Sequence, residues 1–203
     1  EQSGFITDIG YDTYHKILDE AIRELKQTEY KELFQEELEQ KMDYVQDVQI
    51  DSDLEMLIPD NYINNIAERM SLYTRLDNIE NEAGLTAFAA ELKDRFGPLP
   101  GSVKELLEAV RLRWVAKELG MERIIFKLKK LRCYFPENQE SAFYESAFFQ
   151  HLLQFIATQK ASIHLKQTSK HLLIALDQVQ SMDHARALLE RIRTAVRESM
   201  ENK

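Results

Sequence analysis

The stretch Ile124-Ile-Phe-Lys-Leu-Lys-Lys-Leu-Arg-Cys-Tyr-Phe135 decides the fold class, because apolar and polar side chains alternate along it. Apolar residues recur at every second position on both sides of Lys129 and Lys130, as expected for two strands that each bury one face. The stretch therefore predicts a β-hairpin that turns at the two lysines. Cys133 lies on the apolar side of the second strand, so we expect it to be a small core residue.

A second hairpin and two helices surround this one in the sequence. Residues 163–165 and 172–176 alternate in the same way around Thr168 and Ser169. Residues 143–158 are apolar enough for a buried helix, and a helix over about 182–199 follows the second hairpin. The order hairpin, helix, hairpin, helix predicts a small antiparallel sheet packed by helices.

The residues before the first hairpin have helical periodicity, so the predicted class is α+β, with N-terminal helices followed by the sheet. We predict a helix over about 60–78 with Asp60 as its N-cap, a helix over 85–96 closed by Gly97, and a long helix capped by Ser102. Trp114 should be a core anchor of the long helix. In the first helix, the residues predicted to face inward are Ile63, Ile66, Ala67, Met70, Tyr73 and Leu76.

Charge divides the chain into two parts. Residues 1–60 carry 17 acidic and 5 basic side chains, whereas the remainder carries 18 acidic and 21 basic ones. We predict an acidic helical connector over residues 1–54 and a regulatory domain over residues 55–203. The net charge of −9 argues against a dedicated DNA-binding protein, because affinity for phosphates needs clustered Lys and Arg.

The single cysteine and the lack of an apolar run of about 20 residues predict a cytoplasmic protein with no membrane partner. The first residue is Glu1 rather than methionine, which suggests a fragment of a longer protein. We expect it to be a monomer.

Sequence motifs for catalysis are absent. The chain has no phosphate-binding G-x-x-x-x-G-K-[ST] loop, no G-x-G-x-x-G, no H-E-x-x-H and no nucleophile elbow. His164 and His171 lie on opposite arms of the second predicted hairpin, but two ligands do not make a metal site. We therefore expect no catalytic, cofactor or metal site, although a small hydrolase with an unrecognised carboxylate pair stays as a weak alternative.

Basic residues concentrate between positions 111 and 132, which leaves a second function open. With Tyr134 and Phe135 nearby, they could form an accessory nucleic-acid-binding surface, whose affinity would fall steeply with salt. The residues concerned are Arg111, Arg113, Lys117, Arg123, Lys127, Lys129, Lys130 and Arg132.

The segment Glu91-Leu-Lys-Asp-Arg-Phe-Gly-Pro-Leu-Pro100 places three charges at a rigid helix end. On a helix, Glu91 and Arg95 are one turn apart and Asp94 lies beside them. These residues are either a solvated ion-pair face or a compact charged patch suited to docking on a complementary surface.

Five blocks of this sequence resemble the C-terminal part of transcription-repair coupling factors. They are Leu57-Ile-Pro-Asp-Asn-Tyr-Ile63, Arg69-Met-Ser-Leu-Tyr-Thr-Arg-Leu76, Glu91 to Pro100, Glu1-Gln-Ser-Gly-Phe-Ile6 and Ile9-Gly-Tyr-Asp-Thr-Tyr14. Their order and spacing also match. The resemblance is specific over residues 1–20 and 55–120 and weak over 121–203.

The resemblance implies a parent protein that is a cytoplasmic, ATP- and Mg-dependent translocase on duplex DNA. Such a protein removes stalled RNA polymerase and recruits excision repair through UvrA. The present chain would lack the motor, with Gln2 in the tail of the translocation motif, and would have no enzymatic activity of its own.

The same resemblance implies a regulatory role for the C-terminal domain. It would dock on the N-terminal UvrB-like module of the parent, mask the UvrA-binding surface and restrain the motor. Glu91, Asp94 and Arg95 match the positions of the interdomain contact. Lys93 departs from the family pattern, in which an apolar residue is common at this position.

Overall fold

A computed structural model describes residues 44–159 and 162–201 as an α+β fold, as predicted. Three helices follow the first strand, and two hairpins, each followed by helical structure, complete the described part of the chain. In chain order they are β1 (Gln49–Ser52), α1 (Ile66–Asp77), α2 (Glu82–Phe96), α3 (Gly101–Glu118), β2 (Arg123–Lys127), β3 (Lys130–Tyr134), α4 (Ala142–Glu145), α5 (Ala147–Thr158), β4 (His164–Gln167), β5 (Leu172–Leu176) and α6 (Met182–Glu201).

Five strands form one sheet in the order β1-β2-β3-β5-β4. Both predicted hairpins are present, and they join through an antiparallel pair in which Cys133 lies opposite Ile174. At the other edge, β1 adds in parallel to β2, with Ile50 opposite Ile124. The sheet is therefore mixed, and its parallel edge strand comes from residues that the sequence analysis counts with the connector.

Helix α3 is buried on more than one face. Val103, Leu107 and Val110 pack with α1 and α2 in one cluster, whereas Leu112 and Ala116 are buried at other angles around the same helix. Helix α6 packs along α3 and buries residues at helical spacing from Met182 to Val196. Each large apolar side chain buried in this way stabilises the fold by about 1.5–3 kcal/mol.

The first helix begins later than predicted. Asn65, not Asp60, is the N-cap of α1, and its side chain accepts a hydrogen bond from the Glu68 amide at 3.1 Å. Residues 60–63 instead form a turn in which the amides of Tyr62 and Ile63 donate to the Pro59 carbonyl.

The predicted inward face of α1 is also partly wrong. Ile66 and Met70 are 67% and 53% exposed, whereas Leu72 and Leu76 are buried. Residues two positions apart in sequence lie about 200° apart around a helix. Burial of Leu72 therefore turns Met70, two positions earlier, towards solvent.

Three other sequence expectations need correction. Helix α3 begins at Gly101 with Pro100 as its N-cap, and Ser102 makes no capping bond. Trp114 is half-buried at the edge of the helical cluster rather than fully enclosed. The predicted helix over 143–158 is divided at Ser146, whose hydroxyl donates to the Phe143 carbonyl and accepts from the Phe149 amide.

Gly120 marks the passage from the helical half to the sheet. Its φ is +71°, which favours glycine, and a Cβ there would lie 2.2 Å from Cε2 of Phe143. We expect Gly120→Ala to lower the free energy of unfolding by about 2–4 kcal/mol, since backbone strain and overpacking act together. Urea denaturation measures this change.

Gly101→Ala is the matched control, because a Cβ at Gly101 meets nothing within 4 Å. We expect it to change the free energy of unfolding by no more than about 1 kcal/mol. Equal effects of the two substitutions would show that the Phe143 contact does not limit position 120.

Candidate interaction surface on helices α1 and α2

Helix α2 presents the three predicted charges on its outer side because its other side is anchored in the core. Leu85, Phe88 and Leu92 are buried, so Asp94 and Arg95 are exposed and Glu91 is partly exposed. The helix begins where the Asn81 side chain accepts from the Gly84 amide, and it ends at Gly97 with φ +89°. Gly97 thus closes the helix, as the sequence predicted.

Tyr62 fixes the end of α2 from the outside. Its hydroxyl lies 3.0 Å from the Leu92 carbonyl oxygen and 2.9 Å from that of Gly97, and its ring packs edge-on against Phe96. The Gly97 carbonyl belongs to the C-cap and has no partner within the helix, so the Tyr62 hydroxyl satisfies it and stabilises the turn that carries Arg95. Partial burial raises the pKa of Tyr62, which keeps the hydroxyl protonated as a donor.

Glu91 and Arg95 lie in a network of four charges between α1 and α2. Arg75 donates two hydrogen bonds to the Glu91 carboxylate, at 2.9 and 2.6 Å. Arg95 donates to Glu91 at 3.3 Å and also to Glu68 on α1. Cations and anions therefore alternate across the two helices. We name Glu68, Arg75, Glu91 and Arg95 the ion-pair network.

Asp94 differs from its neighbours in the motif. It is exposed and forms no ion pair within the described residues. The structure thus brings two of the three predicted residues together and leaves the third carboxylate next to them, accessible to solvent. The sequence analysis missed Glu68 and Arg75. The two residues are seven positions apart, which places them on the same side of a helix. This spacing was the sequence signal that could have indicated a charged face on α1.

The network keeps Glu91 ionised. Hydrogen bonds from Arg75 lower the pKa of Glu91 to about 2, and Arg95 contributes in the same direction. The same pairing raises the pKa of Arg75. A carboxyl group with this pKa neither donates nor accepts a proton usefully near neutral pH. The arrangement therefore suits recognition of charge rather than acid–base catalysis.

Both guanidinium groups also lie near aromatic rings. Arg95 Cζ is 4.7 Å from the ring centre of Phe96, and Arg75 Cζ is 5.6 Å from that of Phe88. Such contacts restrict the two long side chains at little cost. Beside them, a groove of about 360 Å³ runs between the helices. It is lined by Thr74, Arg75, Asn78, Ile79, Gly84, Ala87, Phe88 and Glu91.

Three of the four arginines of the basic region have carboxylate partners within the chain, whereas Arg132 is exposed and forms no ion pair within the described residues. Arg111 binds Glu82 at 2.6 Å and Glu108 at 2.7 Å. Two further pairs, at 2.7 and 2.6 Å, are Arg113 with Asp77 and Arg123 with Asp51. These three arginines are therefore neutralised locally, which reduces their attraction for phosphates.

The remaining sequence expectations concern isolated residues. Cys133 is fully buried, as predicted, and burial raises the pKa of its thiol. His164 pairs with Ala175 in the sheet, whereas His171 packs edge-on against Tyr134, so the two histidines do not face each other. Gln2 lies outside the described residues. Over 44–159 and 162–201, no group of three or more His, Cys, Asp or Glu could hold a metal ion.

No helix within the described ranges is long and apolar enough to cross a membrane.

Sequence comparison finds similarity to transcription-repair-coupling factors over part of the chain. The family model for the TRCF domain matches residues 52–146. The transcription-repair-coupling factor of Haemophilus influenzae is 39% identical over 124 residues, and that of Escherichia coli K12 is 33% identical over the same length. Each alignment covers 61% of this chain and 10% of the relative. The chain therefore spans only about a tenth of the length of these relatives.

The fold has a counterpart among solved structures. The crystal structure of the C-terminal domain of a transcription-repair coupling factor superposes with a TM-score of 0.57. The alignment covers 75% of this chain and 95% of that one, at 17% sequence identity. The similarity to this structure is one of fold.

We expect Arg75→Ala to raise the pKa of Glu91 from about 2 towards its ordinary value of 4.5, because Arg75 supplies the strongest hydrogen bonds to this carboxylate. NMR titration of the Glu91 carboxyl carbon measures the shift. A folded-state pKa below the ordinary value means that the stabilisation is complete above about pH 4.5. It is lost as the pH falls towards 2.

In the Arg75→Ala variant this acid-dependent part of the stability should shrink. Arg113→Ala is the matched control, since Arg113 pairs with Asp77 and leaves Glu91 untouched. A Glu91 pKa that stays near 2 without Arg75 would contradict the assigned cause.

Proposed function

We propose that this chain, whose residues 52–146 match the TRCF domain family model, is a regulatory protein-interaction module of a transcription-repair coupling factor. It docks on the N-terminal UvrB-like module of the longer protein, masks the surface that binds UvrA and restrains the motor. The observation that carries this proposal is the exposed Asp94 beside the ion-pair network at the rigid end of α2.

The geometry of the network favours docking over a purely solvated helix face. Its side chains are held by one another and by Phe88 and Phe96 before any partner arrives. Preorganised side chains lose little entropy on binding, so more of the interaction energy appears as affinity. The charges also select a partner with the complementary pattern, because a like-charged surface is repelled.

Regulation follows if the docked and free states of the longer protein interconvert. A domain that binds only the closed state shifts the population towards that state. Weaker docking would raise the population of the open state, in which UvrA has access and the motor is active. RNA polymerase and duplex DNA are then partners of the longer protein rather than of this chain.

We assign no catalysis to this chain. Binding of ATP and Mg, and translocation along DNA, belong in this proposal to the parts of the longer protein that precede it. We further propose that the module acts as a monomer in the cytoplasm.

Replacing Glu91, Asp94 and Arg95 with alanine tests the docking surface. We expect the variant to stay folded, since exposed charges each contribute little to stability. Its affinity for the UvrB-like module should fall by about 1–3 kcal/mol, because charges that pair across an interface are lost. Calorimetric titration of the isolated module with the chain measures this loss, and circular dichroism checks the fold.

The ion pair between Glu82 and Arg111 provides a matched control. It joins α2 to α3 but lies outside the motif, so Glu82→Ala with Arg111→Ala should leave docking unchanged. Asp94→Ala alone separates the accessible carboxylate from the internally paired network. A triple variant that is folded and binds as tightly as the parent chain would disprove the assigned site. In that case the three residues form a solvated helix face.

A nucleic-acid-binding function is the alternative, since three exposed lysines and the exposed Arg132 remain on the β2–β3 hairpin. The pairing of Arg111, Arg113 and Arg123 disfavours it. We expect only weak binding to duplex DNA at about 0.15 M salt, measured by fluorescence anisotropy. Submicromolar affinity that falls steeply as salt is added would support the alternative instead.

A further inference from the structure

The turn between β2 and β3 presents an apolar side chain to solvent. Leu128 is 83% exposed, which is more than Ile66, Met70 or Leu165. It occupies the tip of the turn, between Lys127 at the end of one strand and Lys130 at the start of the next. This tip is built from elements other than α1 and α2, so it is separate from the docking surface proposed above.

The residues at the tip are also not those that a two-residue hairpin turn usually contains. Leu128 and Lys129 have φ of +51° and +59°. A two-residue turn with both φ values positive favours Asn-Gly, since a branched or long side chain is strained there. Directly beside the turn, Lys127 lies opposite Lys130, and like charges in that position repel.

Long-range contacts hold the strained turn in place. The Asp53 carboxylate accepts a hydrogen bond from the Leu128 amide at 2.8 Å. The Lys129 carbonyl accepts one from the Val179 amide at 2.9 Å. The turn is therefore fixed from the β1 side and from the loop before α6. Strain that the surrounding structure maintains in this way is typical of positions with a function.

From these features we infer that the tip, comprising Lys127, Leu128, Lys129 and Lys130, is a second docking element. It binds a protein surface that offers an apolar pocket bordered by carboxylates. Leu128 enters the pocket, and the three lysines pair with the acidic border. Burial of an anchoring side chain within a ring of polar contacts is the usual arrangement of a binding hot spot.

The charge of the tip distinguishes between a protein, DNA and a membrane as its partner. Three exposed lysines favour an acidic partner, and two carboxylates beside the hairpin are already engaged, Asp53 by the Leu128 amide and Asp51 by Arg123. DNA is less suitable because Leu128 cannot read a base edge. Of the arginines on β2 and β3, Arg123 is paired with Asp51, and only the exposed Arg132 is left to add to the lysines. A membrane is also less suitable, because one leucine and three lysines provide little apolar area for anchoring.

Leu128→Asn is the discriminating variant. Asparagine tolerates positive φ, so the turn should fold at least as well, and the thermal unfolding midpoint should stay equal or rise. The apolar contact, however, is removed. Leu165→Asn is the matched control, because Leu165 is also partly exposed, at 44%, but lies on β4.

The probe is an array of short peptides that carry Leu or Phe among a graded number of glutamates, with glutamine versions as controls. We expect the full chain to bind the acidic apolar peptides, and this binding should weaken as salt is added. Leu128→Asn should reduce the affinity by about tenfold or more. Lys127→Gln with Lys130→Gln should reduce it similarly, whereas Leu165→Asn should not. Lys104→Gln, which removes an exposed lysine on α3, should also leave the affinity unchanged.

Duplex DNA and vesicles of phosphatidylserine with phosphatidylcholine complete the test. The inference is overturned if no peptide binding depends on both Leu128 and the lysines. It is equally overturned if DNA or the vesicles bind more tightly than the peptides in a Leu128-dependent way. The alanine variants of Glu91, Asp94 and Arg95 should bind the peptides as tightly as the parent chain does. Docking through these three residues and docking through the tip can therefore be disproved independently of each other.

Discussion

The burial of helix α3 on more than one face is the constraint on which the rest of the structure depends. One face packs with α1 and α2, which are the helices that carry the ion-pair network, and α6 packs along the helix as well. A helix enclosed in this way has no freedom to rotate without opening an apolar cluster. The Gly120 turn, which comes directly after α3, allows the chain to pass Phe143 and enter the sheet.

Ion pairs between the helices orient the helices relative to one another and contribute less than apolar burial to the stability of the fold. Arg186 on α6 reaches Glu108 on α3 at 3.0 Å, and Glu118 on α3 meets Arg193 on α6 at the same distance. Pairs at a surface contribute little to stability one by one, but they set the angle at which two helices meet. The same logic applies to Arg75 and Glu91, which fix α1 against α2. A recognition surface then exists before its partner is bound.

In two regions of the molecule, the residues present differ from those that local structure and burial alone would favour. On α1 and α2, charges are concentrated at a rigid helix end. At the β2–β3 turn, an exposed leucine has a left-handed backbone conformation next to two lysines in register. At other helix starts the capping agrees with the sequence, as with Asn81 at the start of α2 and Ser146 at the start of α5. Local conflict within a consistent fold points to interaction with other molecules.

The sequence by itself determined the two hairpins, the end of α2 at Gly97 and the burial of Cys133, and it carried the resemblance to transcription-repair coupling factors. Each of these depends on residues close together in the chain, where alternation, a glycine or a short motif is a sufficient signal. Only the tertiary structure decided that β1 joins the sheet in parallel, that Ile66 and Met70 face solvent, and that Glu91 pairs with Arg75. These features depend on contacts between distant segments, and side chains with the same local pattern could have met other partners. Packing of Leu72 and Leu76 in the core sets the rotation of α1, and that rotation brings Arg75 to Glu91.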